Sequence, residues 1–217
     1  MRGRLGQKLV GSGSRRARGG QVEGSVPPSG DLLYERGDAV MRAEAAQRVA
    51  LVFSLLDANG NGVLDADDFT LMGDRVTAVA TGSDQGAKDA LRAAFERYWT
   101  TLRTELDANG DGVITLEEYT ACVLSPERFD ATIAEFAHAL AALGDPDGDG
   151  LVERPVFAAL MDAIGFQEAN IHALFDAFGP TAEDRIPVST WEEGIKDYYA
   201  PDKAGIPGDH LVPSTAV

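Results

Sequence analysis

From Asp38 onward, apolar residues recur at three- and four-residue intervals, and that spacing predicts a succession of amphipathic helices. Val49, Val52, Phe53 and Leu56 mark the first. Phe69, Met72, Val76, Val79 and Ala80 mark a second. TGSDQG then breaks the period, and Leu91, Ala94, Phe95, Tyr98, Trp99, Leu102 and Leu106 mark a third. Tyr119, Cys122 and Val123 begin a short helix that Ser125-Pro126 ends, with Ser125 as N-cap and Pro126 as the first residue of the next. That next helix runs to Leu143 and presents Phe129, Ile133, Phe136, Ala137 and Leu140. Two later stripes, Ile171, Leu174, Phe175 and Phe178, then Trp191, Ile195 and Tyr198, complete an all-α pattern. Aromatic stripes at this spacing are core.

The breaks between helices carry the chemistry. Asp107 to Glu118 reads DANGDGVITLEE, with Asp107, Asn109 and Asp111 at loop positions 1, 3 and 5, Val113 offering a carbonyl at 7, Thr115 at 9 and Glu118 at 12. A hard cation such as Ca2+ takes about six to eight oxygens in irregular geometry. Alternating carboxylates and amides wrap it, Gly112 turns the chain at position 6, and a glutamate clamps from the far side. Thr115 and Glu118 also read as N-cap and N3 of a capping box, and Ile114 at position 8 is expected to make a β-contact with a partner loop.

The loop repeats upstream. Asp57 to Asp68, DANGNGVLDADD, places Asp57, Asn59, Asn61, Val63, Asp65 and Asp68 at positions 1, 3, 5, 7, 9 and 12. Asp68 is one methylene shorter than glutamate, so it reaches an ion through fewer oxygens and eases entry of the smaller, octahedral Mg2+. A third loop, Asp145 to Val156, DPDGDGLVERPV, supplies Asp145, Asp147 and Asp149 at 1, 3 and 5, the Leu151 carbonyl at 7 and Glu153 at 9. Val156 at position 12 has no side-chain oxygen, so water must fill the gap or the site must weaken. The fourth unit is visible only by aligning Trp191 with Phe69, Tyr119 and Phe157, which gives GPTAEDRIPVST from Gly179 to Thr190. Its metal chemistry has gone, and it is expected to prop up the third loop through a Val152 to Ile186 contact.

The loops resemble those of EF-hand proteins. Four units in two pairs, a long connection inside the first pair, and the ending YYAPDKAGIPGDHLVP are similar to the sarcoplasmic calcium-binding protein and calerythrin family. The resemblance implies two helix-loop-helix lobes packed face to face, and calcium buffering or transport without a catalytic step. It spans roughly residues 38 to 213, with a first pair in 38–125, a degenerate second pair in 126–200 and a tail in 201–217.

Composition refines this picture. The 217 residues carry a formal charge of −16. The six basic residues of the first twenty (Arg2, Arg4, Lys8, Arg15, Arg16 and Arg18) precede any acidic one, leaving 13 basic against 35 acidic residues in 21–217. Such an acidic body favours cations and argues against nucleic acid and anionic membrane as partners. Residues 1–37, rich in Gly, Arg, Ser and Pro, are expected to be disordered. With only Cys122, no intramolecular disulfide is available, and no apolar run approaches the length of a membrane helix. The chain is expected to be a cytoplasmic monomer and not an enzyme.

Two functions fit the loops. A buffer stays packed while calcium tightens it; a sensor opens a groove to a protein target. Target grooves are usually Met-rich, and beyond Met1 the chain has only Met41, Met72 and Met161, which favours the buffer. The tail is a candidate plug for such a groove. A third reading, a ligand-binding or light-emitting relative, would line a central cavity with His138, His172, Trp99 and Trp191.

Overall fold

The computed structural model describes residues 34–36, 39–41, 43–123 and 126–213. The N-terminal basic arm, the Ser125 cap and the side chain of Cys122 lie outside the described residues. Short antiparallel strands β1 (Tyr34–Arg36) and β2 (Ala39–Met41) pair with Tyr34 opposite Met41. This hairpin straddles the expected start of order at Asp38. Its signal is two short runs, Tyr34–Arg36 and Ala39–Met41, that the Gly- and Arg-rich sequence before them obscures.

Among the described residues eight helices follow, α1 (Ala43–Leu56), α2 (Ala66–Val79), α3 (Gln85–Leu106), α4 (Leu116–Val123), α5 (Pro126–Leu143), α6 (Arg154–Ile164), α7 (Glu168–Ala177) and α8 (Val188–Tyr198), and then a 3₁₀ turn at Pro207–Leu211. They form four helix-loop-helix units in two pairs. Each pair is joined where position 8 of one loop meets position 8 of the other. Leu64 and Ile114 exchange both backbone hydrogen bonds at 2.9 Å. In the second pair β3 (Leu151–Glu153) and β4 (Arg185–Pro187) run antiparallel with Val152 opposite Ile186, the expected contact. All four side chains are fully buried.

One contiguous apolar cluster runs through both pairs. Phe95 on α3 meets Phe136 on α5 with ring centroids 5.1 Å apart, and Phe157 on α6 meets Trp191 on α8 at 4.8 Å. Gly144 permits the latter cluster, since a Cβ there would lie 2.6 Å from Trp191 Cζ3. Of the described stripe side chains, all are buried except Phe178 and Ile195, which are half-buried against the core, and Val79. Val79, the last residue of α2, is 41% exposed, and Thr77 takes the buried place, with its Oγ1 bonded to the Gly73 carbonyl at 2.8 Å. Val79 shares the side of α2 that holds Met72 and Val76, seven and three residues before it, but stands at the helix's last position.

The chain's end is fastened to its first helix. Arg48, fully buried on α1, donates from Nε to the Tyr198 carbonyl at 2.9 Å and from Nη2 to the Ala200 and Lys203 carbonyls at 3.0 Å each. Its Nη1 meets Asp209 Oδ1 at 2.5 Å, and Asp209 Oδ2 accepts the Ile206 N–H at 3.0 Å. One guanidinium thus satisfies three carbonyls and a carboxylate, and the tail gains a fixed path across α1, α7 and α8.

Candidate metal centre

Three loops share one internal hydrogen-bond plan, dictated by Asp or Asn at alternate positions. The position-1 carboxylates Asp57, Asp107 and Asp145 each accept the N–H of the position-6 glycine, at 2.9, 3.1 and 2.9 Å. Each also accepts from position 5, at 2.9 Å in the first loop and 3.1 Å in the other two. Position 5 in turn accepts from the position-7 N–H, with Asn61 to Val63 and Asp111 to Val113 at 3.0 Å and Asp149 to Leu151 at 2.9 Å. The position-6 glycines have φ of 86°, 83° and 83°, a left-handed conformation that side chains resist. These bonds curl the backbone of each loop around its position-1 carboxylate. In the third loop one carboxylate oxygen each from Asp145, Asp147 and Asp149 lie within 4.8 Å of one another. A set of hard oxygens held this way suits Ca2+.

Position 12 separates the loops. In the second, Glu118 Oε2 accepts from both Thr115 N–H and Thr115 Oγ1 at 2.9 Å, while Thr115 Oγ1 accepts the Glu118 N–H at 3.3 Å. The expected capping box therefore forms and holds the glutamate beside position 9. In the first, Asp68 is fully buried, with Oδ1 accepting the Asn59 N–H at 3.1 Å and Oδ2 the Asp65 N–H at 2.9 Å. The shorter side chain clasps the two arms of its own loop. Burial pushes its carboxyl up from the ordinary value; the Asp65 and Asn59 N–H groups pull it back, and the Asp65 and Asp57 charges push it further up. In the third, Val156 is half-buried and packs against the core, while Glu153 stands at the N-cap of α6 without bonding its N–H groups.

The fourth loop keeps the turn and loses the ligands. Asp184 stands at position 6 with φ 61°, the one positive φ outside glycine among the described residues. Asp tolerates that conformation better than most residues, and Arg154 holds it, with Nε 2.8 Å and 3.0 Å from the two carboxylate oxygens and Nη2 2.8 Å from Oδ1. Those bonds pull the Asp184 carboxyl below its usual range. Arg154 also reaches Asp176 at 2.7 Å and stacks 4.3 Å over the Phe175 ring. At position 7 stands Arg185, whose Nη1 bonds Asp149 Oδ2 of the third loop at 2.9 Å.

The EF hand family profile matches residues 49–72 and 104–123, which cover most of the first two units. Probable calcium-binding protein CML28 of rice (Oryza sativa subsp. japonica) is 31% identical over 127 residues, spanning 51% of this chain and 69% of that protein. The chain belongs to the EF-hand family of calcium-binding proteins. Calerythrin of Saccharopolyspora erythraea is 25% identical over 166 residues, spanning 72% of this EF-hand protein and 93% of that one. Among solved structures, a Streptomyces coelicolor calcium-binding protein, described as a structural basis for prokaryotic calcium-mediated regulation, superposes with a TM-score of 0.61 at 25% identity. It covers 73% of this chain and 99% of its own.

Between the helix pairs of this EF-hand protein lies an apolar cavity of about 70 Å³, bordered by Met72, Phe95, Tyr98, Phe136, Trp191 and Tyr198. The lining expected for a ligand-binding relative is largely absent from it. The His138 side chain is 74% exposed on α5, that of His172 is 43% exposed on α7, and Trp99 borders a different groove between α2 and α3. Both histidines fall on the polar sides of their helices. Only Trp191 reaches the cavity. Gly208 and Leu211 of the tail also border it, so the 3₁₀ turn does close over the apolar interior. Sequence reasoning missed Arg48, Arg154 and Arg185. Arg48 left a signal, standing beside Val49 on the stripe that also holds Ala45 and Val52.

Proposed function

We propose that this EF-hand protein is a calcium buffer, with its first and second loops as the working sites. Ca2+ would be held in the second loop by Asp107, Asn109, Asp111, the Val113 carbonyl, Thr115 and Glu118. In the first loop, Asp57, Asn59, Asn61, the Val63 carbonyl, Asp65 and Asp68 would hold Ca2+ or Mg2+. The first loop's case for Mg2+ rests on Asp68, whose short side chain is engaged at both oxygens by the loop's own N–H groups. The ion supplies a neutralising charge and a template for loop oxygens; the chain supplies preformed turns that lower the ordering cost of binding.

The observation that carries the buffer reading is the fastened tail. A sensor must part its helices to admit a target, and here Gly208 and Leu211 already cover the apolar interior, tied down through Arg48 and Asp209. The cavity that remains is about half the ~150 Å³ that takes up benzene in an engineered protein core. That size favours the buffer over a ligand-binding reading. The similarity to the Streptomyces coelicolor protein and its calcium-mediated regulation favours a second reading, a sensor whose tail is displaced when calcium binds.

A hydrophobic-dye fluorescence titration distinguishes the two. The buffer reading expects little change in dye signal between apo and calcium-saturated protein in millimolar magnesium. A several-fold calcium-dependent rise would overturn it in favour of the sensor.

A further inference from the structure

The third loop carries a feature that the other two lack. Antiparallel pairing through position 8 sets position 7 of each loop opposite position 9 of its partner. In the first pair both position-7 residues are valines, Val63 and Val113, and the third loop has Leu151. Only the side chain at position 7 of the fourth loop is charged. Arg185 stands directly across from Glu153, position 9 of the third loop, and its Nη1 bonds Asp149, position 5, at 2.9 Å. One of the third loop's four ligand-position carboxylates is therefore paired with this guanidinium, and a second, Glu153, stands opposite Arg185 in the strand register. Its Nε is buried and has no hydrogen-bond partner, so the group is held there without full satisfaction of its donors.

We propose that Arg185 is a built-in counter-cation of the third loop, lowering that loop's affinity for calcium by neutralising charge the ion would otherwise take. This rests on the reading of Asp145, Asp147, Asp149, Leu151 and Glu153 as a calcium loop. A half-exposed ion pair is worth little to folding, but its charge acts on a divalent ion a few ångströms away. A unit charge at that range in a mostly aqueous dielectric changes affinity by roughly tenfold. With Val156 unable to clamp at position 12, the third loop fills last, at calcium concentrations above those that fill the first two. The fourth loop, having lost its own ligands, thereby sets the threshold of its neighbour.

Calorimetric calcium titration of the full chain tests this. The weakest step is assigned to the third loop by its loss in Asp145→Asn. Arg185→Gln is expected to tighten that step roughly tenfold and leave the tighter steps unchanged, with the gain shrinking in 1 M KCl as salt screens the charge. Arg185→Lys, which keeps the charge, is expected nearer wild type than Arg185→Gln. If Gln at this position unfolds the chain by circular dichroism, Arg185→Val, the residue type of Val63 and Val113, gives the same reading. A third-loop step that is present but unchanged or weakened in Arg185→Gln overturns the counter-cation and leaves the loop a calcium site. A third-loop step absent from wild type and from every Arg185 variant overturns both.

Discussion

The position-12 side chains of the first two loops differ in length and in the bonds they make. Asp68 is the shorter, and its two oxygens are both engaged by backbone N–H groups of its own loop. Asp68→Glu adds the methylene needed for a two-oxygen clamp, and the expected outcome is a first loop that favours calcium over magnesium more strongly. Paired titrations with calcium, in the presence and absence of magnesium, check it; an unchanged preference would remove Asp68 from the account. Arg48 decides a different matter. Replacing it by Met leaves Asp209 and three carbonyls without their donor, and the cost is about 2–3 kcal/mol, the scale of a charged partner lost from a buried site. Urea unfolding of Arg48→Met measures it.

At the scale of elements, the loops and the helices that flank them were legible because their causes are local. Twelve consecutive residues fix the bonds from Asp107 to Gly112 and from Thr115 to Glu118, and the apolar spacing fixes which faces are buried. Even the fourth loop's place followed from Trp191 and Ile186, and the Val152 to Ile186 pairing is formed. What local spacing could not show are partnerships between distant segments. Arg48 and Asp209 are 161 residues apart, and Arg185 reaches Asp149 only because two strands align. His138 and His172 are exposed, neither core nor cavity lining, a placement set by helical phase that residue type alone does not carry. The 3₁₀ turn offers its own test. A Cβ on Gly208 would lie 2.7 Å from Tyr198 Cδ2, so Gly208→Ala is expected to push the turn off α8 and raise dye binding in the absence of calcium. Wild-type dye binding in that variant would mean that the tail yields without opening the interior.

At the scale of the whole molecule, the position-8 pairings, the shared core and the tail join into one unit, which in the proposed buffer would take up ions with little rearrangement. Leu64 to Ile114 and Val152 to Ile186 couple the loops within pairs, while Phe95 and Phe136 pack one pair's helix against the other's. If the first two loops bind calcium and Glu118 completes the second, as proposed, the loops fill in separate steps of which one depends on Glu118. The most direct measurement is calorimetric calcium titration in millimolar magnesium, on the protein and on Glu118→Gln. At least two steps are expected in the wild-type chain, with the loss of one step, or its weakening by about a hundredfold or more, in the variant. An unchanged titration of Glu118→Gln, or no calcium binding by the wild-type chain, would contradict it.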